Sequence, residues 1–248
     1  MKLIHPLKYV TITQGFGEVN TSPELLPKYQ AIGLKGHNGL DYYAVDGTDV
    51  MASHDGTVTY AGLDGSNGNL IVIMTDTQFD YQGQQAYYKS LYGHLKTGTF
   101  KVTAGDKVKA GQVIAQADNT GMSFGSHLHF GLKPVRKGEQ SWEWFNITQN
   151  DGYNGAIDPT EYLPKVNYFQ TKLKLGNTGF EVEKVQAFLI RNGYMAPVPK
   201  LGFYGSLTAR AILSFQIKNI PNLSWYEKNI LKGSRIEDKT LIALNKLI

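Results

Sequence analysis

The sequence contains no cysteine, no long apolar run and no apolar region near its first residue. Without cysteine there is no disulfide, no thiolate metal ligand and no cysteine nucleophile. No stretch approaches the roughly 20 apolar residues that a membrane-spanning helix needs. Residues Met1–Val10 lack the apolar segment, roughly 7–15 residues long, of a secretory signal peptide. We therefore expect a protein that is made in the cytoplasm and has no membrane partner.

The charges present are unevenly distributed along the 248 residues. Up to Pro164 there are 12 Lys/Arg and 16 Asp/Glu, whereas from Lys165 onward there are 13 and 5. The overall net charge of +4 thus combines a front part of −4 with a back part of +8. A hydrophobic content of 42% is too high for a disordered chain. The charge split predicts two folded modules with different tasks.

The front part has the pattern of short strands and tight turns. Apolar or β-branched stretches occur at Val58–Ala61, Leu70–Ile73 and Val113–Ala115. Turn signals such as Asp55-Gly56 and Asn67-Gly68 lie between them. No strand-helix-strand rhythm is visible, so we predict an antiparallel β-sheet.

The periodicity changes to helical after Pro164. Val182, Val185 and Leu189 recur at helical spacing, and Thr178–Glu181 has the spacing of a capping box. Two more helices are predicted, from about Ser206 and from near Glu237. The chain is thus predicted to be an α+β multidomain protein. Its parts are a β-sheet domain at 1–164, a linker at 165–174 and a small three-helix bundle at 175–248.

Histidine and aspartate carry the pattern of a metal site. The chain has six histidines: His5, His37, His54, His94, His127 and His129. His37 and Asp41 are close enough in sequence to reach one ion, and the i, i+2 spacing of His127 and His129 puts both rings on one face of a strand. Since thiolates are absent, imidazole and carboxylate must supply any zinc ligands. An isolated histidine is more often packed or on the surface, which is our interpretation of His5 and His54.

Three segments that carry these residues resemble motifs of the lysostaphin/LytM-type zinc metallo-endopeptidases of peptidoglycan. They are Gly36–Tyr42, Leu91–Leu95 and Gly125–Phe130. Their order and spacing, with those of the intervening segments, agree with that family from about Gly15 to Leu163. The resemblance implies an antiparallel β-sheet metallopeptidase domain of the duplicated hybrid motif type.

The resemblance also implies the roles of five residues. One Zn²⁺ per chain is held by His37, Asp41 and His129, while His94 and His127 lie beside the metal without binding it. One of these two histidines, with His127 favoured, acts as general base toward the zinc-bound water. The other orients water or stabilises the oxyanion. The sequence leaves open which histidine has which role.

Aromatic side chains near these motifs are candidates for a substrate groove. Tyr92 lies two residues from His94, on the same face of the predicted strand, and Tyr42 follows Asp41 directly. The alternative is that both tyrosines belong to an aromatic core.

The basic back part resembles the three-helix peptidoglycan-binding domain that often accompanies wall hydrolases. The resemblance lies in Leu175–Gly179, Gly193-Tyr194, Phe203–Gly205 and Phe215-Gln216. Its positive charge is expected to attract anionic wall polymers and to do so less at high salt. No nucleic-acid recognition element is visible, and we expect a monomer without a nucleic-acid partner.

Together the two resemblances imply a phage endolysin-like peptidoglycan endopeptidase. It would hydrolyse an amide bond in the stem peptide or cross-bridge, after synthesis in the cytoplasm of a phage-infected host. The alternative is a non-catalytic wall-binding or virion structural protein that retains the peptidase fold. All five polar residues of the implied site are present, which favours the enzyme.

Overall fold

The computed structural model describes residues 1–19, 25–123, 125–138, 144–148, 151–165, 169–198 and 201–247. The chain divides into two compact units, Met1–Lys165 and Val166–Ile248. Each unit has a hydrophobic core of its own. Within the described ranges, no helix combines the length and the apolar character needed to cross a membrane.

Most of the regular secondary structure in the described part of the first unit is β-strand. The strands are β1 (Ile12–Gln14), β2 (Leu40–Tyr43), β3 (Asp49–Met51), β4 (Gly56–Asp64), β5 (Gly68–Met74), β6 (Phe79–Tyr81), β7 (Gln84–Leu95), β8 (Lys107–Val108), β9 (Val113–Gln116), β10 (His127–Lys137) and β11 (Trp144–Asn146). One α-helix, α1 (Leu25–Ala31), and two short 3₁₀ segments, Gly65–Asn67 and Pro159–Tyr162, complete the unit.

The main sheet has the strand order β1-β2-β10-β7-β5-β4-β8, and every neighbouring pair is antiparallel. β11 pairs with β10, β6 forms a hairpin with β7, and β3 pairs with β9 in a separate sheet. In the β6–β7 hairpin the two turn residues, Gln82 and Gly83, have φ of 53° and 81°, as a tight two-residue turn requires. This topology confirms the predicted antiparallel sheet.

Alternation along β10, and along β7 as far as Gly93, separates a core face from a polar face. Tyr88, Tyr92, Phe130 and Leu132 point into the core, where each is fully buried. Burying one such side chain contributes roughly 1.5–3 kcal/mol. The intervening residues, among them His129, therefore point to the opposite face of the sheet.

The second unit contains helices α2 (Phe180–Arg191), α3 (Ser206–Asn219) and α4 (Asp238–Asn245), a π-helical turn at Glu227–Leu231, and a two-stranded pair formed by β12 (Leu173–Lys174) and β13 (Arg235–Ile236). The predicted capping box at Thr178–Glu181 is wrong. Gly179 is the residue at the helix N-cap, and it makes no side-chain cap. Thr178 instead forms a β-bridge with Phe203, which draws it away from the helix start.

The predicted linker at 165–174 also requires correction. Phe169 is buried in the second core, and its N–H donates to Asn245 Oδ1 at 2.8 Å. Leu173 and Lys174 form β12 and pair with β13. Residues 169–174 thus belong to the second unit because both their side chains and their backbone have partners there. Residues 166–168 of the predicted linker lie outside the described part of the chain.

Candidate metal centre

Strand pairing brings the histidines and the aspartate to one place on the sheet. Asp41 in β2 lies directly opposite His129 in β10, and His129 lies opposite Gly93 in β7. His94 follows Gly93, and His37 precedes β2. Residues far apart in sequence thus meet at the centre of the sheet, on the face that is not the core.

Three of these residues converge on one point. His37 Nε2, His129 Nδ1 and Asp41 Oδ1 form a triangle in which all three separations are 3.0 Å. His37 and His129 are buried, while Asp41 keeps a small exposed fraction. Among the described residues, this is the cluster of histidine and carboxylate side chains whose ligand atoms lie close enough together to hold a metal ion.

Hydrogen bonding at His37 shows that the donor set fits a cation. Its Nδ1 lies 3.1 Å from Gly15 O, so Nδ1–H donates to this carbonyl and the neutral ring has a lone pair at Nε2. That lone pair meets two other acceptor atoms, and such an arrangement is repulsive unless a proton or a metal ion lies between them. Two imidazoles and one carboxylate are also the ligand types of catalytic zinc sites with an open position.

The pKa directions agree with this picture. Burial opposes charge on both His37 and Asp41, but their mutual attraction outweighs it. With protons between the ligand atoms in place of a cation, the pKa of His37 is raised, and the pKa of Asp41 is held well below its ordinary value by the charge of His37 and by hydrogen bonds from His129 and His37. The cluster therefore retains an ionised carboxylate even though it is buried.

Gly39 allows the histidine of β10 to lie against β2. A Cβ at this position would lie 2.7 Å from His129 Cε1, 2.9 Å from its Nε2 and 2.6 Å from Phe130 O. Only glycine leaves room for the His129 ring at this distance.

A β-bulge directs His94 toward the cluster. Asn69 and Ile71 of β5 pair with Leu95 and Tyr92 of β7, so the two residues of β7 between these pairs oppose a single residue of β5. Inside the bulge, His94 has a φ of 60°, and its Nδ1–H donates to Thr120 O at 2.7 Å. Burial and the neighbouring His127 lower the pKa of His94 to about 4. His94 is thus neutral at pH 7, with Nε2 as its free acceptor.

His127 lies beside His94, and its ring is in the same tautomer. Its Nδ1 lies 2.8 Å from Gly125 O, so Nδ1–H donates to this carbonyl and Nε2 has the lone pair. Nε2 is 3.6 Å from Asp41 Oδ2, and the ring centroids of His94 and His127 are 4.6 Å apart. The structure therefore brings all five implied residues together.

These residues line a cleft of about 450 Å³. Its other lining residues include Gln14, Tyr29, Asn38, Asn67, Met122, Ser123 and Asn154. Tyr29 accepts a hydrogen bond from Gln14 Nε2 at 2.9 Å, and burial together with Asp41 raises its pKa to about 12. Sequence reasoning missed these residues, as it missed the carbonyls of Gly15, Thr120 and Gly125. No side-chain motif marks a backbone acceptor.

Tyr92 and Tyr42 do not line the cleft, which corrects their prediction as groove residues. Both have no exposed surface and belong to the core. Tyr92 Oη accepts from Ser53 N–H at 2.7 Å, and Tyr42 Oη lies 3.1 Å from His5 Nδ1. The bulge explains why Tyr92 is in the core and not in the cleft. Its extra residue breaks the alternation that would have placed Tyr92 and His94 on one face.

His5 and His54 lie away from the cleft. His5 Nε2 contacts Pro164 O at 2.9 Å. His54 is buried, with Nε2 2.8 Å from Ser90 Oγ and Nδ1 2.9 Å from Asp55 O. Both are thus packed histidines.

Comparison with known proteins finds a family match for the segment that contains the site. Residues 35–142, which contain all five site residues, match Peptidase family M23. The match confirms the family resemblance of the front domain.

Three relatives show how far the similarity extends. DD-carboxypeptidase/endopeptidase Mpg of Neisseria meningitidis serogroup B is 35% identical over 127 residues, 51% of this chain and 25% of Mpg. Glycyl-glycine endopeptidase ALE-1 of Staphylococcus capitis is 28% identical over 156 residues, 62% of this chain and 37% of ALE-1. Endolysin 2638A of Staphylococcus phage 2638A is 26% identical over 180 residues, 66% of this chain and 34% of the endolysin. The chain thus spans well under half the length of each relative.

Proposed function

Because residues 35–142 are a Peptidase family M23 domain, we propose that this chain is a zinc-dependent peptidoglycan endopeptidase. The observation that carries the proposal is the convergence of His37 Nε2, His129 Nδ1 and Asp41 Oδ1, with His94 and His127 at its side. Relatives that are named as endopeptidases support a cell-wall peptide as the substrate.

His37, Asp41 and His129 would hold one Zn²⁺. Zinc held there would supply Lewis acidity, in the form of a water whose pKa is near 7 and a polarised carbonyl. Gly15 O would orient the His37 ring through Nδ1, as partners of metal-binding histidines commonly do.

His127 and His94 would carry the proton transfers. In both rings Nδ1–H is engaged by a backbone carbonyl, so Nε2 is the atom that can accept a proton. His127 is the better candidate for general base, because its Nε2 lies 3.6 Å from Asp41 Oδ2, at the edge of the ligand cluster. In the reaction, the water oxygen bonds to the carbonyl carbon, the C–N bond breaks, and the proton passes from His127 to the leaving nitrogen.

We further propose that the second unit, a three-helix wall-binding domain, holds the enzyme on peptidoglycan or on anionic wall polymers. We also assign the first unit to the duplicated hybrid motif type. Similarity to a phage endolysin supports an endolysin-like role with the cell wall as the place of action.

The relatives named DD-carboxypeptidase/endopeptidase and glycyl-glycine endopeptidase differ in the bond that their names specify. The bond cleaved here is best read from the products.

The deciding experiment measures the turbidity of purified cell walls with the intact protein. We expect clearing that a chelator abolishes and that zinc restores, with mass spectrometry of the released fragments identifying the bond. Wall binding without clearing, in protein shown to contain metal, would favour the alternative of a non-catalytic wall-binding protein.

A further inference from the structure

Two lysines face each other across the strands that carry His129 and His94. Lys89 of β7 pairs directly with Lys133 of β10, in a register that is continuous from His129–Gly93 to this pair. Because side chains alternate along a strand, Lys89 and Lys133 lie on the same face as His129, two same-face positions further along. At about 3.3 Å per residue, the pair lies about 13 Å along β10 from His129.

This pair is an unusual arrangement of charge. Both lysines are partly buried, and in the part of the chain that the structure describes neither ammonium group has a hydrogen bond or ion pair. Like charges directly opposite each other destabilise a sheet. Burial lowers the pKa of both, and Lys89 further lowers that of Lys133.

Two carboxylates act weakly on Lys133 without pairing with it. Asp151 and Asp64 raise its pKa, but less than burial lowers it. Asp151 Oδ1 accepts from the N–H groups of Tyr153 and Gly155, and Asp64 Oδ2 accepts from Asn67 Nδ2. Among the described residues, the positive charge of the lysine pair therefore has no partner of its own.

Between the metal centre and the lysine pair, the same-face positions of β7 and β10 are two glycines and one leucine, Leu91. Gly93 and Gly131 occupy the same-face positions next to Asn67 and Asn38, two residues of the cleft wall. A Cβ at Gly93 would lie 3.4 Å from Asn67 O, and one at Gly131 would lie 3.8 Å from Asn38 O. Leu91, which pairs with Gly131, is thus the only side chain of β7 or β10 on this face between the metal centre and the two lysines.

We propose that Lys89 and Lys133 bind a carboxylate of the substrate peptide, about three to four residues from the bond that is cleaved. The spacing follows from the distance of about 13 Å and from the roughly 3.3–3.6 Å that each residue of an extended peptide spans. Two ammonium groups on one face can both donate to one carboxylate. The inference rests on the proposed function and adds to it a preference for acidic stem peptides over neutral ones.

The test compares muropeptides that have free carboxylates with the same muropeptides after chemical amidation. The variants are Lys89→Met with Lys133→Met, which retains the apolar stems, and Lys89→Arg with Lys133→Arg, which retains the charge. Lys101→Met, at an exposed position of the same unit, is the matched control. Each is assayed for hydrolysis, and its metal-free form is assayed for muropeptide binding by calorimetry.

We expect the double methionine variant to raise KM for free-carboxylate muropeptides about tenfold, as the loss of a charged hydrogen bond does. Its kcat and its KM for amidated muropeptides should equal those of the wild type, and its urea unfolding midpoint should not be lower. The arginine variant should retain the wild-type KM for both substrates. The subsite proposal would be overturned if the methionine variant raised KM equally for both substrates. It would also be overturned if the wild type had the same KM for both. If the wild type hydrolyses neither substrate, the proposed function fails. In that case calorimetry with the metal-free protein tests the subsite by itself, because the subsite requires tighter binding of free-carboxylate than of amidated muropeptides.

Discussion

At the scale of single residues, backbone carbonyls decide which nitrogen of each histidine is available. Gly15 O, Thr120 O and Gly125 O each accept from an Nδ1–H, which leaves Nε2 of His37, His94 and His127 free. His129 differs, because its Nδ1 points to Asp41. Two histidines can thus take part in the metal site while the two others retain a free acceptor for protons.

This division of roles predicts different effects of two substitutions. His129→Ala removes one of the three proposed ligands, so we expect loss of both zinc and activity. His127→Ala removes a proton acceptor only, so zinc should be retained while kcat falls about 10²- to 10⁴-fold. Metal analysis of the purified variants, together with wall-clearing rates, checks both expectations. A zinc-free His127→Ala protein would contradict the assignment.

Buried His54 predicts how stability depends on pH. Burial lowers the pKa of His54 in the folded protein, whereas the unfolded chain has the ordinary value near 6.5. Below about pH 6.5 the unfolded state therefore binds more protons, and stability falls as the pH falls. We expect the drop in urea midpoint from pH 7.5 to pH 5.5 to be smaller in His54→Gln than in the wild type, both metal-free. If the midpoint fell by the same amount in both proteins, the pKa of His54 would not differ between the folded and unfolded states.

At the scale of elements, the site depends on how closely β10 approaches the chain before β2. Gly39→Ala would place a methyl group against His129 and Phe130 O, so either the ring or the strand must move. We expect a loss of about 1–3 kcal/mol in unfolding free energy, as for overpacking, and weaker zinc binding. Gly65→Ala is the matched control, since a Cβ there meets nothing within 4 Å. Unfolding in urea and zinc titration of both variants measure the two effects, and equal behaviour of the variants would contradict the role of Gly39.

The β7 bulge marks a limit of prediction at this scale. Alternation in a regular strand places Tyr92 and His94 on one face, and this led to the prediction of Tyr92 as a groove residue. The extra residue opposite Asn69–Ile71 and the positive φ of His94 are set by pairing with β5 and by Thr120. Such a bulge needs a partner strand from elsewhere in the chain, so local patterns do not reveal it.

At the scale of the whole molecule, the charge asymmetry follows the division into two units. Residues from Lys165 onward have a net charge of +8, and the second unit begins at Val166. If the second unit binds anionic walls, a protein ending at Lys165 should bind purified walls more weakly than the full chain. The difference should be largest at low salt, because added ions screen the attraction. A sedimentation assay across a salt series measures this, and equal binding of both proteins would mean that the charge has no role in attachment.

The sequence alone determined the ligand types, the β character of the front part and the residues expected at the metal. Histidine and aspartate were the side chains that a cysteine-free chain could offer to zinc, and they lie in short motifs that sequence shows directly. Tertiary structure decided the rest. It brought Asp41, His129 and Gly93 side by side through strand register, turned Tyr92 and Tyr42 into the core, and opposed Lys89 to Lys133. Register and bulges depend on hydrogen bonds between segments about 20 to 90 residues apart, and no local pattern specifies those partners.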